Sequence, residues 1–288
     1  MTDIPATLAE CADAVLNTAD GRAKTALSKR CAEAWFAARA AGTPMPIGTG
    51  NPPDLPARPE KPELLNPRDM PRRRPGSAAG RIALIHAVAH IELNAVDLHW
   101  DIIARFTHVK MPVGFYDDWV KSAAEESKHF NLVCDVLEDQ GSFYGALPAH
   151  AFMWRAAADT KDDFLGRLAV VPMVLEARGL DVTPGMIEIF RKAGLDGAVA
   201  ALETIYAEEV GHVAYGSKWF HFLCGRHDED PKDAFHTLVK RYFHGALKPP
   251  FNEEKRAEAG IPPDFYWPLT GDEAQEQATN PARFNPNA

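Results

Sequence analysis

Two hexapeptides in the chain set a glutamate three residues before a histidine. AEESKH at 124–129 holds Glu126 and His129, and AEEVGH at 207–212 holds Glu209 and His212. On a helix, side chains three apart lie one turn apart on one face and can reach a common ion. Glu-x-x-His from each of two helices, plus one Glu from each of two more, is a ligand set for a pair of divalent first-row metals inside a helical bundle. Each hexapeptide has an upstream acid to complete it, Glu92 in HIELNAVD and Glu176 in VLEARGLD.

The intervals match. Glu92 to Glu126 is 126 − 92 = 34 residues, and Glu176 to Glu209 is 209 − 176 = 33. Corresponding ligands are offset by 176 − 92 = 84 and 212 − 129 = 83 residues. Each upstream Glu is followed five residues later by an Asp, Asp97 and Asp181. The chain therefore writes one half-site twice, as an internal repeat of a helix pair. A lone Glu-x-x-His is usually a solvated ion pair; two copies with paired upstream acids are not. Glu125 also lies within reach of His129, but the three-residue interval favours Glu126.

Four carboxylates against two dications leave a neutral centre, which matters where net charge is costly to bury. No cysteine falls on the repeat, so a thiolate site is not expected. Zinc alone favours four-coordinate nitrogen and sulfur ligation. Two iron ions are the expected cofactor, with manganese or a mixed pair as substitutes. Two ferrous ions with open positions deliver electrons to O2. Metal-bound histidines donate their second ring N–H to a carboxylate or carbonyl, and Asp97 and Asp181 are the candidates to accept it. His99 shares a face with Glu92 two turns on, and Tyr206 precedes Glu209 by one turn. Both are candidates to line the cavity, with packing as the competing role. His86, His90 and His99 each read first as a hydrogen-bonded interior or surface histidine.

The elements that must position these residues are long helices. Ile82, Ile85, Ala89, Leu93, Val96, Trp100 and Ile103 recur at three- and four-residue steps and predict a helix over 79–108. Trp119, Ala123, Glu126, Phe130, Val133 and Leu137 predict a second over 115–140, ended by Gly141. A third is predicted over 161–181, with Pro172 inside it, and a fourth over 196–224. Pro184 reads as the start of a short separate helix, and 142–160 as a crossover carrying a short helix near AFMWRAAA. Two short helices precede the repeat within 5–41. The stretch 42–78 is dense in Pro and Gly and reads as an extended arm with three consecutive arginines, Arg72, Arg73 and Arg74. A helix over PKDAFHTLVKRYFHG and a Pro-rich aromatic tail follow, loose from about Asp272.

The chain has 288 residues, 46% hydrophobic and 25% charged, as expected of a globular protein. A net charge of −9 argues against nucleic acid as the partner, with Arg72–Arg74 the one basic run. Cys11, Cys31, Cys134 and Cys224 are scattered and suggest neither a disulfide framework nor a zinc knuckle. No secretory signal or membrane span is expected, so the cytoplasm is the expected location. The segmentation expected is 1–78 as N-terminal helices and arm, 79–245 as the metal bundle and 246–288 as a C-terminal extension.

HAVAHIELNAVDLHWD, AEESKHF, LEARGLD, AEEVGHVAYG and PPFNEEKRAEAG together resemble the ferritin-like superfamily. More narrowly, the chain resembles a bacterial ferritin-like family known only as a domain of unknown function. The resemblance spans roughly 75–265 and implies an all-α, antiparallel four-helix bundle with a long crossover and a di-metal centre. It implies Glu92, Glu126, His129, Glu176, Glu209 and His212 as ligands. The superfamily holds ferroxidases, hydroxylases, desaturases, a tRNA-modifying hydroxylase and radical-generating subunits, and fold does not choose among them. The leading expectation is an oxidase or monooxygenase acting with O2 on a small or carrier-bound substrate, with an electron-donor protein. A ferroxidase or iron-binding protein is one alternative, and a tRNA hydroxylase another. A homodimer is compatible with the sequence.

Overall fold

A computed structural model describes residues 4–71, 73–150 and 152–271. Among them the chain is helical, with no strand beyond two isolated bridges, Leu64 to Ala149 and Leu247 to Thr270. Arg72, and the tail from Asp272 expected to be loose, lie outside the described residues; Arg73 and Arg74 are exposed. The chain forms two compact units, each assembled from two stretches. One comprises Met1–Lys161 with Gly185–Glu208, the other Asp162–Pro184 with Glu209–Ala288.

In the first unit, α1 (Leu8–Leu16) opens on a capping box. Thr7 Oγ1 accepts from Glu10 N, and Glu10 Oε2 accepts from Thr7 N. Asp20 caps α2 (Gly21–Ala40), and Ser77 caps α3 (Ala78–Arg105). Pro112 precedes α4 (Val113–Asp139), which stops at Gln140 and the left-handed Gly141. The apolar steps seen in the sequence become one core. Ile85, Ala89 and Leu93 of α3 and Phe130, Val133 and Leu137 of α4 join Ile187 and Phe190 of α7 (Ala177–Lys192) and Leu202 and Ile205 of α8 (Asp196–His227).

The proline-rich arm is extended over its first part, with a 3-10 turn at Pro67–Asp69 that the sequence reading did not expect, and is tied down by backbone hydrogen bonds. Leu8 N and Ala9 N donate to the Pro46 and Ile47 carbonyls, and Ala57 N donates to Leu16 O. Gly50 admits its close approach to α3, since a Cβ there would lie 2.3 Å from Ala104 O. The crossover carries α5 (Phe152–Asp159) and is pinned by two buried histidines. His86 Nε2 accepts from Gly145 N at 2.9 Å, and His90 Nδ1 pairs with Tyr144 Oη at 2.9 Å. Burial pushes both imidazoles down to about 4. Of the interior and surface roles left open by the sequence, these two histidines have the interior one.

In the second unit, the helix predicted over 161–181 is not one regular helix. It comprises α6 (Phe164–Val170), a π-helical turn over Val171–Glu176, and the start of α7. Pro172 has no N–H for the Leu168 carbonyl, and the hydrogen bonding that follows is wider: Ala177 N bonds Pro172 O, five residues back, as well as Val174 O. Gly216 of α8 makes room for this turn, because a Cβ there would lie 2.4 Å from the Pro172 ring.

Pro184 does not begin a separate helix; it lies inside α7. The carbonyl it deprives, Leu180 O, instead accepts from Asn252 Nδ2 at 3.2 Å. Interior proline is tolerated here because a side chain from the tail replaces the missing donor. The unit is completed by α9 (Pro231–Tyr242), α10 (Glu253–Glu258) and α11 (Pro263–Tyr266). Phe251, Tyr266 and Trp267 pack on one another, with the Arg256 guanidinium over the first two rings.

Candidate metal centre

Glu92 sits on α3, and Glu126 and His129 on α4. All three are buried, Glu126 and His129 with no exposed surface. Their donor atoms lie within 4.8 Å of one another. His129 Nδ1 is 3.3 Å from Glu126 Oε2 and 3.4 Å from Glu92 Oε2. Glu125 pairs instead with Lys121 at 3.7 Å, one turn back on the same helix. The three-residue interval thus identified the glutamate that faces the ring.

The other ring nitrogen has its own carboxylate. His129 Nε2 lies 2.8 Å from Glu208 Oε2, and Glu208 also takes Lys128. With the Nε2 proton donated to Glu208, loss of the Nδ1 proton to a metal leaves the Nδ1 lone pair facing Glu92 and Glu126, the orientation a metal ligand needs. Three carboxylates thus surround one imidazole. Burial by itself would push His129 down, but Glu126, Glu208 and Glu92 outweigh it and hold its pKa well above the usual histidine range. Burial, then the charge of Glu126, pushes Glu92 well above the usual carboxylate range. The hydrogen bond from His129 holds Glu208 down at about 2. Two acids crowded in a dry site are what a bound cation relieves, so the donor set fits a divalent metal.

The second unit holds the matching residues. Glu176 ends the π-helical turn and is buried. On α8, His212 is fully buried, Glu209 nearly so, and His212 Nδ1 is 3.5 Å from Glu209 Oε1. The same ring nitrogen faces the same glutamate in both copies, so the repeat extends from spacing to atoms.

The two aspartates have other partners than His129 and His212. Asp97 takes the Nζ of Lys24, which also donates to Ala57 O at 2.9 Å. Burial pushes Asp97 up to about 7 against the pull of Lys24. Asp181 takes both prongs of Arg256, at 2.8 and 2.7 Å, and Asn252 N at 2.9 Å. The carboxylate on His129 is Glu208, which the sequence reading passed over. Its one sequence signal is the doubled acid in AEEVGH. His99 is buried against the Trp119 ring, with centroids 5.2 Å apart. Tyr206 packs on the first unit's core.

A family model described as "Protein of unknown function (DUF455)" matches residues 17–267, which include both Glu-x-x-His copies. An uncharacterized protein of Haemophilus influenzae is 39% identical over 213 residues, covering 72% of this chain and 74% of that one. No solved structure matches the chain. Among the described residues, no helix is long and apolar enough to cross a membrane.

Proposed function

Because the chain belongs to the DUF455 family, whose description assigns no reaction, we propose a function from the chain's own residues. It is a ferritin-like di-metal carboxylate protein that activates O2, as an oxidase or monooxygenase on a small or carrier-bound substrate. Glu92, Glu126 and His129 hold one half of the centre, and Glu176, Glu209 and His212 the other. Two iron ions are the proposed occupants, with manganese or a mixed pair as substitutes. When bound in the ferrous state, such a pair supplies electrons to O2, and a donor protein returns them.

One observation carries the reading: the Nδ1-to-glutamate geometry recurs at 3.3 Å for His129 and 3.5 Å for His212. A chance surface Glu-x-x-His has no reason to be buried, and these two pairs are. The surrounding residues have supporting roles. Glu208 fixes the His129 ring and its proton. The π-helical turn sets the direction of Glu176, and Gly216 lets that turn pack closely; such turns recur at functional sites. Burial of the acids keeps bulk water from them.

The test is elemental analysis of the purified protein, with absorption spectra after anaerobic ferrous loading and exposure to O2. About two metals per chain are expected, with a new near-ultraviolet band after O2. The double change Glu126→Ala, Glu209→Ala should remove both while the far-ultraviolet circular dichroism stays helical. Protein that takes up neither iron nor manganese after loading would sink the proposal. Continued iron oxidation without organic substrate would redirect it to a ferroxidase.

A further inference from the structure

Between α2 and α4, within the first unit, runs an open groove of about 710 Å3. Ala26, Ala32, Ala124 and Leu132 line it, and charged side chains edge it. Phe36 stands on its rim, 38% exposed. A single exposed ring needs no explanation by itself; the order of the residues around it does. On α2, Ala26, Lys29, Glu33 and Phe36 recur at steps of three, four and three, and all are exposed. That is the spacing of a helix seam. Cys31 is its midpoint. A two-fold axis across α2 at that level lays an antiparallel copy on the seam. Phe36 then meets the partner's Ala26, and Lys29 meets the partner's Glu33.

The pattern on α4 agrees. Lys121 and Glu125 edge the same groove, with Ala123 at their midpoint. The two helices run antiparallel: Arg22 bonds Asn131, Ser28 Oγ donates to Ala123 O at 3.2 Å, and Trp35 bonds Asp117. Cys31 therefore stands within one turn of the level of Ala123. One axis pairs both sets, so Lys121 meets the partner's Glu125 as Lys29 meets the partner's Glu33. Within one chain these pairs are long, 3.9 Å for Lys29 to Glu33 and 3.7 Å for Lys121 to Glu125. Exchanging them across the axis gives up little.

We propose that the α2–α4 face docks a second copy of this chain, the two helix pairs closing into an intermolecular four-helix bundle about that axis. The groove becomes the interior of the bundle, filled by the Phe36 rings of both copies. The occupant is another copy because the face is complementary to itself. Charges of opposite sign stand at equal distances from the axis, and the ring stands as far from it as the smallest side chain of the seam. A uniformly acidic or basic partner would meet like charge along both helices.

The experiment is sedimentation equilibrium on the full-length protein over micromolar concentrations. The expected mass is twice the 31.7 kDa of one chain. Lys29→Glu sets acid against acid across the axis, and Glu33→Lys sets cation against cation. Each alone should raise the dissociation constant about ten-fold or more. Mixed in equal amounts, the two variants restore every Lys29–Glu33 pair across the axis, so the mixture should sediment as a dimer. Tagged Lys29→Glu protein should then retain untagged Glu33→Lys protein on an affinity resin. The two side chains are 71% and 63% exposed, so neither change threatens the fold. A wild-type monomer throughout the range overturns the proposal. A dimer that both single changes leave intact overturns it equally, by placing the contact elsewhere. A mixture that stays monomeric with its parents overturns the antiparallel facing of Lys29 and Glu33. The readout is mass, so it does not depend on metal binding.

Discussion

Glu208 offers the sharpest test of the metal-centre geometry. It lies 2.8 Å from His129 Nε2, on the side of the ring away from Glu92 and Glu126. Replacing it with alanine removes a charged hydrogen bond without touching a proposed ligand. Such a bond contributes about 1.5–3 kcal/mol, and loss of a carboxylate behind a ligand histidine typically costs about ten- to a hundred-fold in metal affinity. These figures agree, since ten-fold is about 1.4 kcal/mol. Glu208→Ala should therefore weaken binding about ten- to a hundred-fold. Glu208→Gln, which keeps an acceptor oxygen but loses the charge, should fall between wild type and alanine. The assay is competition between the protein and a chelator of known affinity, read with manganese or ferrous ion under anaerobic conditions. Asp97→Asn is the control: its carboxylate serves Lys24, so affinity should hold while stability drops. An unchanged affinity in a well-folded Glu208→Ala protein, or a larger loss in Asp97→Asn, would refute the assignment.

His86 and His90, held down to about 4 by burial, favour their neutral forms in the folded chain. Their contribution is whole above the ordinary histidine value of 6.5 and is lost as pH falls from there to about 4. It amounts to roughly 3 kcal/mol for each at the acid end, so urea midpoints of His90→Asn should depend less on pH across that window. Asn252→Ala removes the donor to Leu180 O and the cap on Lys255 N and should cost about 1–2 kcal/mol. In a Pro184→Ala background the helix regains its own N–H at 184, so the same change should cost less; strict additivity in the double-mutant cycle would count against the replacement-donor account. Gly216→Ala drives a methyl into the Pro172 ring and should destabilise by about 1–3 kcal/mol, with a thermal midpoint equal to wild type as the contrary result.

Helix positions were legible because apolar residues keep their three- and four-residue steps whatever surrounds them. Ile85, Ala89 and Leu93 read as a stripe in the sequence and lie together in the core. The choice of Glu126 over Glu125 was legible for the same local reason. Features set by distant chain were not. Pro184 reads as a helix start because nothing nearby announces that Asn252, 72 residues away from Leu180, will replace the donor. The partners of the aspartates are as remote: Lys24 stands 73 residues from Asp97, and Arg256 stands 75 from Asp181. Glu208 was missed because its neighbour Glu209 already had a role, and sequence order says nothing about which histidine a second acid will meet.

The aspartate pairs also set where this chain can be cut. The repeat begins near Ala78 and its last motif ends at His212, so a natural excision would keep little else. Yet the counter-charge of Asp97 comes from before that span, and the two-pronged partner of Asp181 from after it. A fragment starting at Ala78 would bury an acid stripped of Lys24, and one stopping before Glu253 would leave Asp181 only the longer contact to Arg178, 3.3 Å away on its own helix. An orphaned buried charge costs roughly 3–5 kcal/mol, and the whole stability of an ordinary domain is about 5–15. The two flanks therefore act as paired keystones, and adding them back as separate peptides should rescue a truncated chain only when each carries its cation.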